Sequence, residues 1–508
     1  MSTFHGLEMA KQALFAQQSA LYTTGHNISN ANTEGYTRQR VNFETMNPYP
    51  SGSRNRPQIP GQMGTGVQAG SVQRVRDQFL DYQYRAESSK SGYWAARADA
   101  LSRMEGVLNE PSDSGLSHTI DQFWNGLQDL AVNPDNSGAR SVVANRGLAV
   151  AETFNYLSES LSSIRSDLKN QIDTSVKETN ALLRQIHNIN EQIKELEPHG
   201  YLPNDLYDER DRLIDELSNK MNIKVTYSKS GEGSPEIADG MATIEVVNEK
   251  GEPFNPSVVL VNGQTGQEQV NEIEVTYGND SYAAVSGISV NGQQLDVMNT
   301  NGSLKGFIDS YGHDFDGDGD VTGTYTDMLA DLDKLANTLK EEFNKVHHNG
   351  KALDGSDGID FFVFKDGKDG AAGITVNKDI LDDPDLIAAS TNDTDGEGAN
   401  ALNLAEVFNN KNLNGNPLGE STSINSFYQS LIGEMGVKAQ EANRMTNNTA
   451  ILRSQVEDQR MAVSSVSLDE EMSNMIRFQH AYNAAARSMT TMDEMLDKII
   501  NSMGLVGR

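Results

Sequence analysis

The stretch His313–Val321, HDFDGDGDV, sets Asp314, Asp316, Asp318 and Asp320 at alternate positions. Hard carboxylate oxygens spaced in this way are the early ligands of a calcium loop, and Gly319 and Val321 take the usual glycine and apolar places. Position twelve is Tyr325 rather than a bidentate glutamate. Weak Ca2+ binding is therefore the most the pattern predicts, and an acidic, solvated turn accounts for the same residues. No other cofactor is expected.

Elsewhere the chemistry is thinner. GQMGTGV, Gly61 to Val67, holds three glycines but does not sit between a predicted strand and helix, as a phosphate-binding loop must. His347 and His348 are adjacent, so they cannot share a helical face, and neither HExxH nor GxSxG occurs. Both read as surface residues ending a helix, where a cation favours the carbonyl end. Carboxylates crowd LYDERDRLIDEL and SLDEEMSN, and a glycosidase needs a pair of them, but the helical stripes put these acids on the solvated side. No catalytic residue is assigned, and the chain is not expected to be an enzyme.

The bulk composition narrows the classes further. Among 508 residues, 41 Lys and Arg stand against 72 Asp and Glu, a formal net charge of -31. Such a chain repels a polyanion, so no nucleic acid is expected as a partner. Hydrophobic residues are 37% and aromatics 7%, a lean balance that suits long helices with narrow apolar seams and an elongated molecule. Cysteine is absent, so disulfides, thiolate metal sites and a cysteine nucleophile are ruled out. MSTFHGLEMAKQALFAQQ has no basic segment before an apolar core, so no cleaved secretory signal is expected. No apolar run of about 18 residues occurs, so no membrane insertion is expected either. Taken alone, these features read as cytoplasmic, unless a dedicated apparatus exports the chain.

The periodicity predicts the elements that organise these residues. Leu7, Leu14, Leu21 and Ile28 recur every seven residues, predicting a helix over 3–28 that stops in HNISNANTEGYTRQ. At the other end Leu468, Met475, Phe478, Tyr482, Met489, Met492, Leu496, Ile499 and Met503 form a methionine-rich seam on one long helix. Further helices are predicted over 154–196, about 60 Å long, over 205–221, 325–347 and 424–463. Residues 223–297 change to a period of two and predict a small β domain. FFVF and AGITV suggest minor strands within 350–420. Periodicity alone leaves open whether the terminal helices are core elements of one domain or meet other molecules.

The segment Asn27 to Gln39, NISNANTEGYTRQ, following a leucine-seamed helix, resembles the N-terminal signature of the flagellar rod, hook and hook-associated axial proteins. Asn30, Ala31, Asn32, Thr33, Gly35 and Tyr36 carry the motif, with Glu34 where proline is frequent. Gly64–Arg85, Asn204–Val225, Leu329–Gly350 and Ser465–Asn501 are similar to blocks of the hook-associated subgroup that ends the hook. The β region and Asp366–Ser423 carry little of the likeness, and the acidic loop looks like a local insertion.

The resemblance implies secretion through the flagellar type III apparatus without a cleaved signal, and a structural place at the hook-filament junction. It implies a homo-oligomer in a tubular assembly, contacts with hook protein and a second junction protein, and a cytoplasmic export chaperone on the C-terminal helix. The expected architecture is mainly α with an inserted β domain. Residues 1–50 and 455–508 form a terminal assembly domain paired as a coiled coil, 51–221 with 322–454 a central helical rod, and 222–321 an outward β domain. The alternatives are another axial protein such as hook protein, a secreted cell-wall glycan hydrolase, or a calcium-dependent surface adhesin.

Overall fold

The computed structural model describes residues 3–50, 61–108, 112, 115–278, 283–392, 397–413, 415 and 417–502. Helix α1 (Thr3–Ser29) leads into an antiparallel ribbon of β1 (Gln39–Thr45) and β2 (Val67–Arg74), with a bulge at Asn42/Phe43. Three helices follow: α2 (Gln78–Leu108), α3 (Leu116–Val132) and α4 (Ser137–Leu196). The last is 60 residues long, hence about 90 Å. It starts earlier than the predicted 154 because Asn136 caps it, its side chain accepting from the Gly138 and Ala139 amides. It ends where Pro198 removes a donor and Gly200 turns left-handed at φ 86.

After α5 (Asn204–Lys220) come two small sheets. The first orders β3 (Ile223–Ser228), β4 (Met241–Val247), β5 (Pro253–Asn262) and β6 (Gln269–Val270) consecutively, and the second β7 (Ile273–Tyr277), β8 (Val285–Val290) and β9 (Gln293–Gln294). Then follow α6 (Ser303–Tyr311), α7 (Thr324–His348), β10 (Phe362–Phe364), α8 (Gly370–Gly373), β11 (Ile374–Val376), α9 (Lys378–Asp382) and α10 (Ala399–Glu406). β10 pairs with β11. The chain closes with α11 (Ile424–Ser464) and α12 (Leu468–Asp497). No described helix is long and apolar enough to cross a membrane.

One contiguous core runs through this body. Leu183, Ile186 and Ile193 of α4 share it with Leu217 of α5, Ile244 and Val246 of β4, and Leu304 and Ile308 of α6. The inserted β region packs its apolar face along the helices. Two buried asparagines of α4 fasten it: Asn180 donates to and accepts from the backbone of Ile273, and Asn190 does the same at Ala242, all at 2.8–3.0 Å. Farther along, Phe123, Phe343, Phe361, Phe362 and Phe408 form an aromatic cluster. Gly147 admits it, since a Cβ there would lie 2.7 Å from Phe361.

Two sequence expectations are overturned. His347 is fully buried: its Nδ1 meets the Ile359 carbonyl at 2.6 Å and its Nε2 accepts from the Ala388 amide at 2.9 Å. Burial lowers its pKa to about 4, so the ring is neutral and ties α7 to two loops. The acids of LYDERDRLIDEL and SLDEEMSN are not all solvated either: Asp208, Asp211 and Glu471 are buried. Their partners are arginines remote in the chain, which a helical stripe cannot reveal.

Candidate assembly interface

Helices α1 and α12 pack against each other in antiparallel fashion. Gly6 lies against Met492, where a methyl on the glycine would stand 3.1 Å from Met492 Cε. Asn27 reaches Glu471, its Nδ2 donating to Oε2 at 3.1 Å. The same number of residues separates these contacts on either helix, so the pairing holds one register throughout. Between them, at intervals of seven, fall Ala13 and Ala20 on α1 and Ala485 and Phe478 on α12. Gly6, Ala13 and Ala20 thus give α1 a row of small side chains on this line.

The expected leucine seam sits beside this line. Leu7, Leu14, Leu21 and Ile28 are half-buried. On α12, Met475, Phe478, Tyr482, Met489 and Met492 are half-buried, Leu496 is buried, and Leu468 and Ile499 are exposed. Phe478 meets Phe43 of β1 edge-on, with centroids 6.1 Å apart. Met503 lies outside the described residues. Several large apolar side chains stay exposed on the two helices: Phe4 is 62% exposed, Phe15 55%, Tyr22 77%, Met472 56% and Ile476 54%.

The motif residues build the turn that returns the chain from α1 to β1. Asn30 donates through Nδ2 to the His26 carbonyl, and its Oδ1 accepts from Thr33 Oγ1. Gly35 takes φ 79, open only to residues tolerant of the left-handed region, and packs on the Arg212 side chain. Tyr36 folds back so that its hydroxyl donates to Asn27 Oδ1 at 2.8 Å, and His26 Nδ1 lies 2.9 Å from that hydroxyl. Burial, with Asp208 and Asp205 nearby, pushes the Tyr36 phenol up and keeps it a donor. Ala31 is half-buried, and Asn32 and Thr33 point to solvent.

Below the turn the pair is fastened to the body. Arg38 binds Glu471 and Glu470, each at 2.8 Å, and its amide donates to the Ser464 carbonyl. The Thr37 amide donates to Asp208 at 3.0 Å. Asp208 also meets Arg74 at 2.8 Å; burial nonetheless raises its pKa, an effect that Arg74 and the Thr37 amide only partly offset. Asp211 is the hub, taking Arg74 at 2.9 Å and Arg76 and Arg85 at 3.3 Å. Burial alone would raise its carboxyl, but Arg76, Arg74, Arg85 and Arg210 together hold it far below the usual range. Asp215 extends the network from Arg85 to Arg460 of α11, whose guanidinium covers the Tyr84 ring at 4.1 Å.

The sequence reading missed Asn27 as a buried contact, and also Arg38, Glu471 and the Asp211 hub. Only Glu471 carried a usable signal, since it precedes Phe478, Ala485 and Met492 at intervals of seven. The acidic loop lies apart from this site. Asp314 spends both carboxylate oxygens on the Gly317 and Gly319 amides, and Asp318 accepts from the Asp320 amide. Among the described residues no three His, Asp or Glu side chains converge so as to hold a metal ion. Asp314 and Asp318 thus brace the loop on its own backbone.

Comparison with known proteins places this geometry among relatives. Residues 101–362 match the family model described as the flagellar hook-associated protein FlgK helical domain. Residues 7–37 match that of the flagella basal body rod protein, and 457–503 that of the flagellar basal body rod FlgEFG protein C-terminal. The chain is 48% identical over 516 residues to flagellar hook-associated protein 1 of Bacillus subtilis (strain 168), covering 100% of both. It is 27% identical to that of Escherichia coli (strain K12), over 97% of this chain and 98% of the relative. The solved structure of the flagellar hook junction protein FlgK from Burkholderia pseudomallei is similar in fold, with a TM-score of 0.57 at 14% identity, covering 76% of this chain and 100% of that one.

Proposed function

Because the chain belongs to the flagellar hook-associated protein 1 family, we propose that its antiparallel terminal helices are the element by which it enters the axial structure of the flagellum. It is a structural component of the bacterial flagellum, exported to the junction between hook and filament. One observation carries the reading of the terminal pair: aromatic and aliphatic side chains of α1 and α12 stay exposed on a pair whose inner faces are already matched. Large apolar side chains left in water on paired helices favour a further contact. Copies of this chain in a tubular assembly are its partners, with hook protein on one side and a second junction protein on the other.

Before export, the same methionine-rich face of α12 is the surface an export chaperone would cover, since flexible thioether side chains adapt to more than one partner. No catalytic role is proposed; the relatives are structural flagellar proteins. The test is a strain lacking the gene, viewed by electron microscopy while flagellin is assayed in the medium. Bare hooks with flagellin lost to the medium are expected. Intact filaments would overturn the junction role.

A further inference from the structure

We propose that the buried contact between Asn27 and Glu471 is the register lock of the terminal helices, selecting one of several pairings that their apolar seams would accept. The inference rests on the terminal pair being the assembly element.

The facing row on α1 reads Gly6, Ala13, Ala20 and Asn27, and on α12 it reads Met492, Ala485, Phe478 and Glu471. A slip by seven residues sets small side chains against apolar ones again in either direction. Packing of this row therefore discriminates poorly between registers. The polar ends do discriminate. One slip puts Asn27 against Phe478 and carries Glu471 past the end of α1; the other puts Glu471 against Ala20 and carries Asn27 past the start of α12.

Each slip leaves a buried amide or carboxylate without its partner, which is costly where water is excluded. In the observed register both are fully engaged. Asn27 Oδ1 accepts from the Gln39 amide and Tyr36, while Nδ2 donates to the Gln39 carbonyl and Glu471. Glu471 receives Arg38 on its other oxygen. A single buried polar position in an otherwise apolar seam is the device by which paired helices fix their alignment. Glu470 also binds Arg38 but is a solvated pair with a 57% exposed side chain, a weak determinant. Glu471 and Asn27 are thus positioning residues for assembly.

The chain contains no cysteine, so introduced thiols report without interference. Gly6→Cys is combined in turn with Met492→Cys, Ala485→Cys and Ile499→Cys, and flagella isolated from cells making each full-length chain are treated with a short thiol crosslinker. In the otherwise unaltered chain only the 6–492 pair is expected to join. With Asn27→Leu and Glu471→Leu added, the ratio of 6–485 plus 6–499 product to 6–492 product should rise at least fivefold. Glu471→Gln, which keeps an acceptor for Asn27, should restore single-register crosslinking.

Retention of the 6–492 product alone in the double leucine chain would overturn the lock while leaving the paired-helix reading intact. All three products in equal yield from the otherwise unaltered chain would instead overturn the pairing itself. Should the leucine chain not be incorporated, the same pairs are crosslinked in the purified full-length protein, where the same two product patterns overturn the lock or the pairing. The backbone bond from the Arg38 amide to the Ser464 carbonyl lies outside both helices and involves none of the substituted side chains.

Discussion

Helix α4 buries Phe154, Leu161, Leu168, Ile172, Leu183 and Ile186 almost completely, whereas α12, half its length, buries only Glu471 and Leu496. The residues α1 buries are Ala16, Ala20, Thr23, Thr24 and Asn27, all small or polar. The body therefore finds within its own sequence the surface that removes its apolar side chains from water. The terminal pair does not, and its alignment depends on polar anchors at its base. The contrast teaches where each region's order comes from: burial of large apolar side chains for the body, and hydrogen bonds at the base for the pair.

The comparison can be broken most sharply at the hub of the body. Asp211→Ala leaves Arg74, Arg76 and Arg85 without their shared carboxylate and should cost about 3–5 kcal/mol. Trp94 and Trp124 both lie in the body, in α2 and α3, so their fluorescence during urea unfolding measures this region selectively. A loss under about 1 kcal/mol would show that buried ion pairs do not hold the body.

His347 supplies the next largest effect. Its folded pKa of about 4 lies below the unfolded value of about 6.5, so its contribution is complete above pH 6.5 and is lost as pH falls towards 4. The stability of the wild type relative to His347→Gln, which cannot titrate, should shrink by about 3 kcal/mol between pH 7 and 4. A constant difference across that window would remove the buried neutral ring from the account.

Smaller still is the expected response of the body to damage in the terminal seam. Met489→Asp with Leu496→Asp should shift the tryptophan-reported transition by no more than about 0.5 kcal/mol, while incorporation into flagella is lost. A large shift would mean that body and pair unfold as one unit. Smallest is Asp316→Ala with Asp318→Ala in the acidic loop, for which swimming in soft agar should equal that of the wild type.

Much of the helical framework was legible because heptad spacing survives translation into packing, as at Met328, Leu332, Leu335, Leu339 and Phe343 of α7. Helix α2 was not, because its first half buries Asp81, Arg85, Ser88, Ser89, Ser91 and Gly92, and large aliphatic residues, Leu101, Met104 and Leu108, line only its last turns. Gly92 comes so close to α5 that a Cβ would lie 2.3 Å from the Asn219 carbonyl. Close approach of backbones demands small residues, and small residues leave no hydrophobic period. The hub was hidden for another reason: Arg74 and Asp211 are charged residues far apart in the chain, and charge on a helix ordinarily signals solvent. At the terminal site the motif and the seams were visible. The contacts of Asn27 and Arg38 with Glu471 required the chain ends to be placed side by side.

Helix α11 has a consequence of a different kind. It is a single 41-residue helix, rooted among the core residues Ile424 and Tyr428 and ending at Ser464 beside the base of the terminal pair. Along part of its course it rests on α2, with Ala439 and Ala442 packed against Ala98, Leu101 and Trp94. Such a helix is a strut about 60 Å long. Its far end is pinned as well, by Arg460 on Asp215 and by the Ser464 carbonyl on the Arg38 amide. The strut thereby sets the distance between the core at its root and the base of the terminal helices.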